Sequence, residues 1–327
     1  MRIVFHTDTH FRGTAPENRT DDFFATQLRK LDEVLEIAQE EGASAILHGG
    51  DLFDRPDTAH SVVAEVFRRY AASTIPTYIV QGNHDEYGMN PETVQRAMFG
   101  LGTASGLFRQ LSERPVFLRE GGFAVQLTGS PYRADIDTET PREGYILRRK
   151  NADIAIHVVH GMFLLKPFMP IAHTLPDQVV EETFADLTLT GHEHVGFRPQ
   201  TYDGKTIANP GALVRTNIHR NEIARMPQVA IVEIDGSGMH VRYRKLKSAR
   251  PGEEVMDRSL VEETVFRHQR LQEFAAAVAA SGESNLLTIE EMLNRVATDE
   301  SLSSPVRDET MRRIATAQEQ VGTEGVA

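Results

Sequence analysis

The chain has 327 residues, 40% of them hydrophobic and 25% charged, a formal net charge of −12 at pH 7, and no cysteine. This is the composition of a water-soluble globular protein, long enough for one large domain with a smaller appendage, and it excludes a disordered or fibrous chain. Without cysteine there is neither a disulfide framework nor a thiolate metal site, so any metal must be held by His, Asp, Glu or Asn, and a cytoplasmic location is expected.

No apolar run approaches the roughly 20 residues of a membrane span, so no membrane partner is expected. Met1-Arg2-Ile3-Val4-Phe5 leads straight into a core strand, with neither an anchor nor a signal peptide in view. The acidic balance opposes broad electrostatic adhesion to nucleic acid. That acidity is concentrated in the tail, however: residues 251–327 hold 15 acids against 7 bases, and residues 1–250 hold 32 against 28.

In chain order, residues 2–7, 44–48, 77–81, 123–128, 154–159, 187–190, 229–234 and 240–246 read as short, mostly Val/Ile/Leu-rich strands. Between the first two, Phe24, Leu28, Leu31, Leu35 and Ala38 recur at helical spacing, with Thr20 or Asp21 as candidate cap and Gly42 past the end. A second helix is expected over 58–73, where Val62, Val63, Val66 and Tyr70 form one apolar face. The opening order is therefore βαβαβ. Asp203-Gly204 and Asp235-Gly236-Ser237-Gly238 mark antiparallel hairpins later on, so the sheet system is mixed and the class α/β. After Pro251-Gly252 the pattern turns helical, with candidates over 261–280, 289–297 and 305–318. The expected division is 1–250 as the α/β domain and 251–327 as an acidic helical C-terminal region.

Metal-competent residues fall just past successive strand ends, where loops on an α/β scaffold gather into one crevice. They are Asp8-x-His10, Gly50-Asp51-x-x-Asp54, Gly82-Asn83-His84-Asp85, His160-Gly161 and Gly191-His192-x-His194. Alternate residues of an extended segment point the same way, so Asp-x-His and His-x-His can aim two side chains at one site. A two-metal hydrolase needs several N and O ligands and one bridging carboxylate, for which Asp51 is the natural candidate. His6, His48, His60, His157, His173, His219, His240 and His268 read as packing or surface residues. Asp54 and Asp85 also suit turns, Arg55 suits either a substrate phosphate or solvent, and Asn209-Pro210-Gly211 reads first as a turn.

These five motifs, in this order, resemble those of the calcineurin-like metallophosphoesterases over residues 1–250. The resemblance implies a two-sheet mixed β core flanked by helices, and two divalent ions, manganese first, with iron, zinc, nickel or magnesium as alternatives. It places Asp8, His10, Asp51 and His194 at one ion and Asp51, Asn83, His160 and His192 at the other. His84 becomes the general acid or transition-state stabiliser, oriented by Asp54, while Arg55 and Asp85 stand beside these motifs as candidate substrate or supporting residues.

The segments Gly50-Asp51-Leu52-Phe53-Asp54, Gly129-Ser130-Pro131-Tyr132 and Asn209-Pro210-Gly211-Ala212-Leu213-Val214-Arg215 most resemble the SbcD-type DNA repair exonuclease subunits, bacterial or phage-encoded. That resemblance implies a manganese-dependent DNA exo/endonuclease, a possible homodimer, and an SbcC-like ATPase partner met through C-terminal helices bearing Leu260, Val261, Val265, Leu271 and Phe274. In a phage-encoded case the location is the host cytoplasm. The acidic charge balance more easily fits a stand-alone phosphodiesterase or phosphatase acting on nucleotides or cyclic nucleotides. An inactive binding or scaffold protein is the third reading.

Overall fold

The computed structural model describes residues 1–16, 18–138 and 142–259. The helices expected over 261–280, 289–297 and 305–318, with the apolar face from Leu260 to Phe274 and His268, lie outside the described residues.

The first sheet begins with β1 (Arg2–His6), β2 (Ala45–His48), β3 (Thr77–Ile79) and β4 (Phe108–Gln110), all parallel. α1 (Phe23–Glu40) and α2 (His60–Ala72) make the crossovers, giving the expected βαβαβ order. The first α1 turn is capped by Asp22, whose Oδ1 accepts from Ala25 N at 3.0 Å. Asp21, an expected cap, instead binds Arg19 and accepts from Thr26 Oγ1 at 2.7 Å.

The second sheet runs β5 (Val116–Glu120), β6 (Phe123–Ser130), β7 (Ile154–Gly161), β8 (Leu187–His192), β10 (Lys205–Asn209) and β9 (Phe197–Tyr202). Its middle strands β6, β7, β8 and β10 are parallel, and its edges β5 and β9 antiparallel. β11 (Gln228–Asp235) and β12 (Gly238–Lys245) complete the first sheet on the free side of β1. Both expected hairpins form, β9 to β10 at Asp203-Gly204 and β11 to β12 past Asp235.

The sheets face each other across one apolar layer. On β1, Ile3 and Phe5 point into this layer with Leu47, Val80, Leu127, Val158, Leu187 and Leu189, while Val4 points the other way onto Val34, Ile37 and Ala38 of α1. The period-2 alternation of each strand thus builds two cores at once. Truncating a fully buried Leu47 or Leu189 to Ala costs about 2–5 kcal/mol.

α4 (Gly252–Val255) packs on α3 (Arg220–Ala224), and Thr20 N and Asp257 N bond across to Val255 O and Asn18 O. Packing against the α/β body therefore continues past residue 250. Among the described residues no helix is long and apolar enough to cross a membrane.

Candidate metal centre

The parallel strands β1, β2 and β3 of one sheet and β7 and β8 of the other end at the same crevice, and each delivers a motif there. The first two loops are zipped together by Asp8 N to Gly50 O (3.1 Å), His10 N to Asp51 O (3.0 Å) and Phe11 N to Leu52 O (3.0 Å). Asp8, His10, Asp51 and His192 all have positive φ (52°, 42°, 54° and 77°), leaving only Met89 and Asp203 as other non-glycine cases among the described residues. Side chains disfavour that region, and such strain persists where the surroundings over-determine it, typically at functional sites. Gly82 is required for a different reason. A Cβ there would lie 2.1 Å from Asp51 Oδ1.

The candidate donors gather in two sets, joined by a third group made of His10, Asp51 and His84. Asp8, His10 and His194 offer ligand atoms within 4.8 Å of one another, and so do Asp51, His160 and His192. Asn83 joins the second set, its Oδ1 being 3.1 Å from His160 Nε2. Asp51 Oδ2 lies 3.6 Å from His10 Nε2 and 3.4 Å from His160 Nε2, so one carboxylate oxygen borders both sets.

The orientation of these groups fits cations. His160 Nδ1 lies 2.7 Å from Gly49 O, a pure acceptor, so Nδ1 carries a proton and Nε2 is the nitrogen turned toward Asp51 and Asn83. Backbone carbonyls that accept from the far ring nitrogen fix ligating imidazoles in this way. His10 Nε2 and His194 Nε2 face each other at 3.1 Å, with Asp8 Oδ1 3.6 Å from the latter. Lone pairs and carboxylates converging in a buried crevice repel unless positive charge stands among them.

The proton affinities follow the same logic. Burial, with the neighbouring Asp51 charge, raises Asp8 to about 7. Burial also resists ionisation of Asp51, but His160, His10 and His84 outweigh it and hold its pKa well below the usual carboxylate range. Burial lowers His10 and His192 to about 4 and His194 well below its ordinary value, leaving three neutral imidazoles fit to ligate. His160 goes the other way: burial opposes its charge, but Asp51 and Asp8 raise it to about 9, so a proton stands where a cation would.

His84 sits at the lip, its ring 4.7 Å from that of His10. Its Nδ1 is 2.8 Å from the Asp54 main-chain carbonyl. The orienting group expected of Asp54 is thus its backbone, while its carboxylate pairs with Arg12 at 3.0 Å and stands 3.9 Å from His10 Nδ1. Burial lowers His84, but Asp51, the Asp54 carbonyl and the Asp54 and Asp85 charges overcome it and raise the pKa.

Asp85 is fully buried and makes no approach to substrate space: Oδ1 accepts from Leu52 N (3.0 Å) and Phe53 N (3.3 Å), and Oδ2 from Gly82 N (2.9 Å). It locks the second loop to the third. Arg55 is exposed and paired with Asp57 at 3.0 Å, away from the donors. Asn209-Pro210-Gly211, expected first as a turn, and the two residues after it brace the site from behind: Ala212 N bonds His194 O, Leu213 N bonds Thr7 O, and Asn209 Nδ2 bonds Glu193 O.

Sequence reasoning missed Thr7, whose hydroxyl donates to Asp8 Oδ2 at 2.6 Å, and Arg12. Tyr132, quoted only for resemblance, lies 5.6 Å from His192 ring to ring. None of the three follows a spacing rule; only tertiary contact reveals them.

Residues 1–196 match the calcineurin-like phosphoesterase family, and the chain belongs to it. Its relatives include the double-strand break repair protein mus-23 of Neurospora crassa, 25% identical over 77% of this chain and 40% of that protein. The DNA double-strand break repair protein Mre11 of Halobacterium salinarum is 28% identical over 63% of this chain and 52% of that protein, and human MRE11 is 24% identical over 76% and 41%. The chain thus spans about half the length of these relatives, or less. Among solved structures, an archaeal phosphodiesterase matches at 12% identity and a TM-score of 0.37, over 75% of this chain and all of that one.

Proposed function

We propose that this phosphoesterase hydrolyses phosphodiesters with two divalent ions and that its substrate is DNA, as the exo/endonuclease subunit of a complex with an SbcC-like ATPase in repair or recombination. The observation that carries the two-metal part is Asp51 Oδ2, bordered by His10 on one side and His160 on the other. The DNA part is supported by the double-strand break repair proteins among the relatives.

Asp8, His10, Asp51 and His194 would hold one ion, and Asp51, Asn83, His160 and His192 the other. Manganese is the first choice, and iron, zinc, nickel and magnesium also accept such N and O donors. When bound, the ions supply positive charge against the developing charge of the phosphoryl group and lower the pKa of water. His84, with Nδ1 held by the Asp54 carbonyl, keeps Nε2 free to give a proton to the leaving oxygen as the phosphorus–oxygen bond breaks. The acidic region 251–327 would meet the ATPase, and a homodimer is proposed on the same resemblance.

The test is cleavage of end-labelled DNA with manganese by wild type and His84→Ala, with bis-p-nitrophenyl phosphate in parallel. Degradation of DNA by wild type alone supports the nuclease. Turnover of the small diester alone would transfer the assignment to a stand-alone phosphodiesterase, which the net charge of −12 favours.

A further inference from the structure

His48 was read from sequence as a packing residue. It ends β2, is completely buried, and stands behind the donors with a contact to each of the two loops that carry Asp8, His10 and Asp51. Gly50 N lies 3.1 Å from His48 Nδ1, and Thr9 Oγ1 lies 3.1 Å from His48 Nε2.

These contacts fix the tautomer. A backbone N–H can only donate, so Nδ1 of the neutral ring must accept, and the ring proton sits on Nε2. Nε2–H then donates to Thr9 Oγ1, and the Thr9 hydroxyl passes its own proton toward Leu52 O at 2.9 Å. The chain of donors runs one way, from Gly50 through His48 and Thr9 to Leu52.

Its ends are the residues that flank Asp51, and its middle is the residue between Asp8 and His10. Asp8, His10 and Asp51 all have positive φ, as does Gly50 at 100°. The backbone ladder between the loops uses the N–H groups of Asp8, His10 and Phe11. The Thr9 side chain, backed by His48, supplies the bond from the intervening residue. Three non-glycine residues in a disfavoured region need this kind of over-determination to keep their shape.

We propose that His48 is a positioning residue for the metal centre, an imidazole whose two nitrogens tie the turn bearing Asp8 and His10 to the turn bearing Asp51 and so set the spacing of the donors. The proposal rests on the two-metal reading. Outer partners that orient ligands are worth about 10–100-fold in metal affinity.

The experiment measures equilibrium manganese binding by electron paramagnetic resonance in wild type, His48→Leu, His48→Asn and Thr9→Val, with the histidine side-chain nitrogens read by NMR in metal-free wild type. His48→Leu fills the space without hydrogen bonds and is expected to weaken manganese binding about tenfold or more. His48→Asn restores an acceptor for Gly50 and should recover part of the loss. Thr9→Val keeps shape and should weaken binding in the same direction. Activity lost in these variants should return at saturating manganese, which a general loss of structure would not allow.

Wild-type affinity in a folded His48→Leu, or a proton on His48 Nδ1, overturns the proposal. If His48→Leu does not fold, Thr9→Val decides it. If wild type takes up no manganese, the two-metal reading falls, and the metal-free tautomer still decides whether His48 is wired as described.

Discussion

His84 and Asp54 meet through a ring nitrogen and a main-chain carbonyl, 2.8 Å apart, not through two side chains. A carbonyl cannot be removed by substitution at position 54, so the orientation of His84 is independent of the carboxylate beside it. His84→Ala should lower kcat by about 10²–10⁴ while leaving manganese binding within a few-fold of wild type. Asp54→Asn should cost far less. Steady-state kinetics with paired metal titrations checks both, and equal losses would show that the carboxylate, not the carbonyl, serves His84.

Arg12 and the Asp54 carboxylate form one partly buried unit at 3.0 Å. Removing either should therefore have nearly the same effect as removing both, and a double-mutant cycle of Arg12→Ala and Asp54→Ala on kcat/KM is expected to be strongly non-additive. Simple additivity would mean that the two side chains act apart.

Asp85 satisfies three backbone N–H groups from two loops. Asp85→Ala strands those donors in a buried site, at about 1–3 kcal/mol for each that water cannot reach. The variant should unfold at lower urea concentration than wild type, by on the order of 3 kcal/mol in total. An unchanged midpoint would refute its role as a latch.

A divalent cation that binds the native donors but not the unfolded chain must stabilise the fold. At a free concentration a hundred times the dissociation constant the gain is about 2.7 kcal/mol for one site. Manganese should raise the melting temperature and EDTA should reverse it, and the rise should largely vanish in Asp51→Ala, which removes the carboxylate bordering both sets.

His157 supplies a pH dependence of its own. It is buried on β7, accepts from Thr128 Oγ1 at Nδ1 (2.8 Å) and donates from Nε2 to Gly144 O (3.0 Å). Burial lowers its pKa from 6.5 to about 4. Because the folded value is depressed, the unfolded chain binds a proton below pH 6.5 that the native chain refuses, so stability is full above that pH and falls as the pH drops toward 4. At pH 5 the loss is about 2 kcal/mol. His157→Gln should flatten the change in urea midpoint between pH 7 and pH 5; an unchanged slope would show that other groups carry it.

The donors were legible because each motif is local: a strand, a glycine, then Asp, Asn or His within four residues. The strands that carry them were legible for the same reason. β4, β5, β9 and β10 were not, since Phe108 alone of β4 is buried, β5 has no fully buried residue, β9 holds Pro199 at a sheet edge where a missing N–H is tolerated, and β10 has Ile207 as its one large apolar residue. The Asp22 cap was missed by one residue because both aspartates suit a cap by type, and Asp21 is taken up by Arg19 and Thr26 instead. The Asp54 carbonyl and the His48 relay lie beyond sequence reasoning altogether, because one is main chain and the other depends on where two distant turns meet.

The centre draws Asp8, His10, Asp51 and Asn83 from the end of one sheet and His160, His192 and His194 from the end of the other. Neither half holds both donor sets, so a fragment ending after β4 and one beginning at β5 should each bind manganese poorly. Mixed and reassociated, they would regain binding only as β11 pairs again with β1 and the apolar layer closes between the sheets. Cation uptake would thus report the reunion of the two pieces, and a nick in the connection between β4 and β5 would turn a question about folding into one about their affinity.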